Sequence, residues 1–340
     1  MKKIALLLFL VVLSSCKTQN NSASKSSNLV ASATDYVNII NAKDLKSLLY
    51  EFASDEMQGR MTGEQGQKLA AEYIKNFYIK NGISSPLGGD NYFQPIPSTY
   101  FKSGKIGDTE NVIAFIEGSE YPEEVIVISA HYDHVGVDKQ GQIFNGADDD
   151  GSGSVSLLLI AKAFQKAKAQ GNGPKRSVVI LHVTAEEIGL QGSKYYVENP
   201  IFPLKNTVVN LNVDMIGRID PNKKANPEYI YLIGSDKLSQ TLHNVSEEVN
   251  KTYGKLEIDY TFNDENDPNR FYYRSDHYNF AKNNIPVIFY FSGVHEDYHK
   301  PTDTPDKIEY NLLEKRARLI FYTAWEIANR KERIQVDVNK

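Results

Sequence analysis

The chain has 340 residues, 41% of them hydrophobic and 24% charged, a composition near the globular average that excludes wholesale disorder, a coiled coil or a multi-span membrane protein. With a formal net charge of −5 and no long Lys/Arg run, it lacks the electrostatic footprint of a protein that grips a nucleic-acid backbone. Its single cysteine has no partner for an internal disulfide, so its position has to account for it.

That cysteine is Cys16, which follows Met1-Lys2-Lys3, an apolar run from Ile4 to Leu13, and Ser14-Ser15. A basic start, a short apolar stretch and small residues make a secretory signal, and the run is far shorter than the roughly 20 residues needed to span a bilayer. Leu13-Ser14-Ser15-Cys16 resembles a bacterial lipobox. The resemblance implies that residues 1–15 are removed, that Cys16 carries a lipid anchor, and that the protein sits in the bacterial cell envelope facing the periplasm. An ordinary cleaved signal, giving a freely soluble exported protein, is the alternative. Residues 16–35, rich in Ser, Asn and Thr with little to bury, read as a flexible tether.

The remainder, 36–335, reads as a single domain. Leu45, Leu48, Leu49 and Phe52 give helical spacing from Ala42 to about Ser54, and a second helix is predicted from Gly63 to Lys80, stopping at Gly82. Residues 36–90 thus form a helical cover. From Asn111 onward apolar runs alternate with amphipathic stretches. Strands are predicted at Val112–Ile116, Val125–Ser129, Val178–Val183, Val208–Val213, Tyr229–Ile233 and Pro286–Phe291, with helices at Ser152–Ala169, Gly189–Glu198, Leu238–Asn250 and Asn311–Arg330. This alternation predicts a three-layer α/β/α sandwich around a mixed, largely parallel sheet. Residues 253–274, aromatic but irregular, read as an insertion flanking a cleft.

Polar residues gather where the strands end. The strand runs lead into His131-Tyr132-Asp133-His134, Glu186-Glu187-Ile188-Gly189, Asp214-Met215-Ile216-Gly217 and, beyond the last, Tyr298-His299. Ligands in open α/β sheets bind outside the carboxyl ends of the strands, so these residues converge on one edge. Gly146-Ala147-Asp148-Asp149-Asp150-Gly151-Ser152-Gly153 opens a helix there. Three adjacent aspartates repel one another unless a cation or a helix N-terminus stabilises them. Imidazoles and carboxylates without thiolate suit catalytic zinc or a similar divalent ion.

These motifs, together with Ser54-Asp55-Glu56-Met57-Gln58-Gly59-Arg60 and Arg274-Ser275-Asp276-His277, resemble those of the di-zinc aminopeptidases of the aminopeptidase S and aminopeptidase Y type, among the clan MH metallopeptidases. The resemblance implies the zinc-dependent exopeptidase fold, two Zn2+ ions and peptide substrates with a free N-terminus. It implies that Asp149 bridges the ions, that His131 and Asp214 complete one site, and that Glu187 and His299 complete the other. Asp133 would hold the His131 ring by accepting its other N–H. Glu186 would be the general base, Tyr298 would stabilise the oxyanion, and the Arg274 carbonyl, with acidic residues such as Asp276, would bind the substrate amine. The Asp149–Asp150 peptide would be cis.

Other readings stand beside these. A glutaminyl cyclase shares the fold but holds one zinc and typically has a tryptophan-rich pocket, whereas this chain has only Trp325. Carboxypeptidase or dipeptidase activity could use the same metal core. A non-catalytic binding module is disfavoured by the complete ligand set. His182 reads as a core residue, His243 as exposed, and His134, His277 and His295 as structural or pocket residues. Ser275 reads as a helix cap, and Asp303 as either a turn residue or an orienter of His299.

Overall fold

The strands are carried by β-branched and aromatic residues, and the middle ones have no polar face to turn toward water. The computed structural model describes residues 32–338. The signal, Cys16 and most of the tether lie outside the described residues. The tether expectation runs too far at its end, because Ser32 already belongs to the fold. Its hydroxyl and the Asp35 carboxylate cap a short 3-10 turn reciprocally, and Ala33 is buried.

The cover comprises α1 (Ala42–Phe52) and α2 (Gln65–Lys80), followed by β1 (Phe93–Ile96). Next come β2 (Thr109–Ile116), β3 (Tyr121–His131), α3 (Gly153–Ala169), β4 (Arg176–Val183), α4 (Gln191–Glu198) and β5 (Thr207–Val213). The chain finishes with β6 (Tyr229–Ile233), α5 (Gln240–Val249), β7 (Glu257–Asp259), α6 (His277–Ala281), β8 (Val287–Phe291) and α7 (Tyr310–Asn329). The eight strands form one sheet in the order β1-β2-β4-β3-β5-β8-β6-β7. Its centre, β4-β3-β5-β8, is parallel, while β1-β2-β4 and β8-β6 pair antiparallel. The sandwich predicted from strand-helix alternation is the fold observed.

Two strands escaped the sequence reading. β1 has only four residues and includes Pro95, and β7 has three, inside the segment read as a cleft-flanking insertion. β7 instead extends the sheet by pairing with β6.

β4, β5 and β8 are buried along their whole length because helices cover both faces. On one side Val125, Val127, Val179, Leu181 and Val287 pack against Tyr196 of α4 and Phe280 of α6. On the other, Phe164 of α3 meets Phe321 of α7 edge-on and stacks with Trp325 of the same helix, and Tyr36 closes over Trp325. Burying a side chain of this size contributes about 1.5–3 kcal/mol.

Buried arginines tie the connections to this frame. Arg316 donates to the carbonyls of Tyr229, Ile216 and Arg218 at 3.0, 2.8 and 2.7 Å. His182 is a core residue, as expected, with Nε2 2.6 Å from the Tyr78 hydroxyl. His243 is half-buried against Tyr260, not exposed.

Burial pushes His182 and His277 down to about 3, so both bind a proton more readily unfolded, near 6.5, than folded. Folding stability is therefore full above pH 6.5 and falls as the pH drops toward 3, by up to about 1.4 kcal/mol per pH unit for each histidine. Urea unfolding at pH 7 and pH 5 should show this loss, and His277→Leu should reduce it by about 2 kcal/mol.

Candidate metal centre

Four strand ends deliver the site. β3 ends in His131, the turn after β4 carries Glu186 and Glu187, β5 leads into Asp214, and the segment beyond β8 carries His299. Three of these connections put a non-glycine residue in the left-handed region: Ala185 at φ 59°, Met215 at φ 53° and His299 itself at φ 53°. Such a conformation costs on the order of 1 kcal/mol or more and persists where surrounding contacts enforce it.

Asp149 stands between two groups. Its Oδ1 lies 3.1 Å from His131 Nε2, which is 3.6 Å from Asp214 Oδ1. Its Oδ2 lies 3.0 Å from His299 Nε2, which is 3.1 Å from Glu187 Oε2. The Asp149–Asp150 peptide is cis. His131, Asp149 and Asp214 are buried, whereas the His299 side chain is 39% exposed and opens the site to solvent.

The three aspartates escape mutual repulsion because each serves a different partner. Asp148 accepts from the Gly217 amide at 2.6 Å and faces His295 Nε2 at 3.2 Å. Asp150 accepts the amides of Gly153 and Met215 at 2.9 and 3.1 Å, leaving Asp149 to face the imidazoles. Burial pushes the Asp150 carboxyl well up, and Asp214 and Asp149 add to this. Asp149 goes the other way: despite burial, the His131 and His299 imidazoles that face it hold it well below the usual carboxylate range.

Several expected roles change. His131 Nδ1 is bonded to the backbone carbonyl of Asp133 at 3.1 Å, while the Asp133 carboxylate stands off at 3.7 Å. That carboxylate instead accepts from the Thr62 hydroxyl at 2.7 Å and the Glu186 amide at 3.2 Å, holding the turn that presents Glu186. Ser275 does not cap a helix. Its hydroxyl donates to Asp214 Oδ2 at 2.6 Å and accepts from Asn212 at 2.8 Å. Asp303 accepts the amides of Asp148 and Asp149 at 2.9 and 3.2 Å, so it orients the bridging segment, not His299. Asp276 is fully buried with neither oxygen hydrogen-bonded and does not line the pocket beside the cluster. Burial pushes its carboxyl up to about 7.

A pocket opens beside this cluster, lined by Glu186, Tyr298 and Arg274 together with apolar Met215, Phe271, Phe289, Phe291 and Val294. Arg274 stacks its guanidinium over Phe271 at 5.0 Å. The Tyr298 ring stacks on His299 at 3.9 Å, and burial beside Asp149 and Glu187 pushes its hydroxyl well up, so it stays a phenol. Burial likewise raises the Glu186 carboxyl well above the usual range.

Arg60 was legible only as part of a motif. Its fully buried guanidinium donates to the carbonyls of Tyr132, Asn145 and Gly146 at 2.8, 2.6 and 2.8 Å. It therefore ties the His131 loop to the loop carrying Asp149.

The residues fit a divalent metal pair. Asp149 Oδ2 and Glu187 Oε1 are buried without a hydrogen-bond partner, and two groups, His131-Asp150-Asp214 and His134-Asp149-Glu187, converge closely enough to hold an ion. Asp150 is in the first by proximity, but its Oδ1 is already taken by two amides.

The fold and the cluster of imidazoles and carboxylates at its strand ends define the class, and the family follows. Residues 111–324 match the model of peptidase family M28, to which the chain belongs. It is 28% identical over 310 residues to leupeptin-inactivating enzyme 1 of Streptomyces exfoliatus, covering 85% of this chain and 62% of that protein. It is 28% identical over 317 residues to leucine aminopeptidase 2 of Trichophyton rubrum, covering 79% and 60%. The chain thus spans about three fifths of the length of these curated relatives. The solved structure of BSAP, a zinc aminopeptidase from Bacillus subtilis, superposes with a TM-score of 0.66 at 15% identity, covering 88% of this chain and 98% of that one.

Arg60→Leu removes the donors from several buried carbonyls, each loss costing about 1–3 kcal/mol. Thermal or urea unfolding should show a destabilisation of roughly 3 kcal/mol or more.

Proposed function

We propose that this chain is a zinc-dependent aminopeptidase that removes N-terminal residues from peptides. One observation carries the reading: Asp149 turns one oxygen to His131 and the other to His299, between two sets of candidate ligands. In this reading His131, Asp149 and Asp214 would hold one Zn2+, and Asp149, Glu187 and His299 a second. Bound there, such ions would supply Lewis acidity to the scissile carbonyl and make the attacking water easier to deprotonate.

The protein's own groups do the rest. Glu186, on the pocket wall with a raised proton affinity, takes the proton of the attacking water and returns it to the departing amine. The Tyr298 phenol, still protonated, donates to the developing oxyanion. His131 keeps its orientation through the Asp133 carbonyl, and Ser275 fixes the Asp214 carboxylate. Met215, Phe271, Phe289, Phe291 and Val294 receive an apolar N-terminal side chain. Arg274 lines the same wall.

The lipobox-like Leu13-Ser14-Ser15-Cys16 supports a lipid anchor at Cys16 and placement in the bacterial cell envelope. Cys16→Ala should leave an active enzyme that no longer sediments with membranes.

Glu186→Gln should keep its zinc and lose about 100- to 10,000-fold in kcat on an aminoacyl substrate; unchanged turnover would refute the assigned base. Metal analysis should find two zinc ions per chain, whereas one would favour a cyclase-like centre. Leucyl substrates should exceed glycyl ones by roughly 10- to 100-fold in kcat/KM, the value of burying the side chain. N-blocked peptides should resist cleavage, and equal rates on blocked and free peptides would refute the exopeptidase reading.

A further inference from the structure

We propose that His134 is a direct ligand of the second metal position, coordinating through Nδ1 beside Asp149, Glu187 and His299, an inference that rests on the two-metal reading above. His134 follows His131 by three residues, off the same strand end, and its ring is fully buried in the floor of the site. Nδ1 lies 2.8 Å from Glu187 Oε1 and 3.7 Å from Asp149 Oδ2. His299 faces the same two carboxylates from the other side, at 3.1 and 3.0 Å. The two imidazoles flank one point, with ring centroids 5.7 Å apart and planes at 70°.

The direction of these contacts separates coordination from hydrogen bonding. Although 2.8 Å from Glu187, His134 Nδ1 makes no hydrogen bond, and neither do Nε2 and the facing Glu187 Oε1. The atoms are close but not aligned along an N–H, which is how donor atoms sit when they point at a third atom between them. A buried polar atom without a partner is costly, and a cation at that point satisfies His134 Nδ1, Glu187 Oε1 and Asp149 Oδ2 together. His182, by contrast, has a phenol hydroxyl 2.6 Å from its ring nitrogen.

The His134 ring is also held for the task. Its backbone amide donates to the Arg60 carbonyl at 3.2 Å. Gly146, at φ 56°, packs flat on the imidazole, where a Cβ would come within 2.5 Å of His134 Cγ. The two positions then differ in donor set. The first has one imidazole and two carboxylates, the second two imidazoles and two carboxylates. Imidazole favours zinc over magnesium or manganese, so the second position should fill first and select zinc more strongly.

The test is zinc titration of the chelator-stripped full chain against a competing chromophoric chelator, with circular dichroism monitoring the fold. Wild type should show two unequal sites. His134→Ser should weaken the tighter site by more than the roughly 10- to 100-fold expected when only a group hydrogen-bonded to a ligand is lost, with the other site nearly unchanged. His134→Gln keeps an N–H donor for Glu187 but no imidazole, and should stay weak; restored affinity would show a hydrogen-bonding role and overturn the proposal. Zinc X-ray absorption of the wild-type protein gives an answer free of any folding defect, since three imidazoles shared by two ions are expected and two would overturn it. Two zincs bound with unchanged affinity in His134→Ser would sink this inference alone. Failure of wild type to bind two zincs would sink the two-metal reading with it.

Discussion

The constraint on which the rest of the structure depends is the burial of many carboxylates in one place. Asp133, Asp148, Asp149, Asp150, Asp214, Asp276 and Asp303 are all buried, and Glu186 and Glu187 are nearly so, at the carboxyl edge of one sheet. Removing a single unpaired carboxylate from water costs several kcal/mol, so this edge is tenable only if every charge is shared, protonated or neutralised. Each solution is present. Backbone amides stabilise Asp148 and Asp303 by hydrogen bonds, burial favours the protonated forms of Asp150 and Asp276, and imidazoles face Asp149 and Glu187.

The frame that makes this possible is assembled far from the charges. Fully buried parallel strands bring residues separated by more than a hundred positions to one line, and positive-φ turns at Ala185, Met215 and His299 aim the side chains inward. Arg60 and Arg316 then bind carbonyls of the loops that carry these residues. A buried guanidinium serves here by offering several donors in a fixed fork, which spans separate loops as no neutral side chain can. Among the described residues no helix is long and apolar enough to cross a membrane.

Much of this was legible in the sequence. Long apolar runs set the six main strands to within a few residues, and the alternation with amphipathic segments specified the sandwich. The short strands were not legible, because β1 contains a proline and β7 only three residues, and both derive their strand character from neighbours already in the sheet. At the site, the family-like motifs named His131, Asp149, Asp214, Glu187 and His299, which the structure brings together. The supporting roles were misread where they depended on direction. Ser275 read as a cap, Asp303 as an orienter of His299, Asp276 as a substrate contact, and Asp133 as a partner through its carboxylate. A one-dimensional motif carries no information on which oxygen of a side chain, or whether its backbone carbonyl, faces a neighbour.

The sequence by itself determined the kind of protein this is, because periodicity of burial and the identity of donor atoms are local properties of residues. It limited the candidate ligands in the strand-end motifs to oxygen and nitrogen donors, because the one cysteine, residue 16, precedes all of those motifs in sequence. Only the tertiary structure decided how three adjacent aspartates divide their work, that Ser275 serves Asp214, and that His134 lies against Glu187. Those outcomes rest on the convergence of chain segments distant in sequence, and distances of about 3 Å between such segments follow from the packing of the whole sheet and its helices.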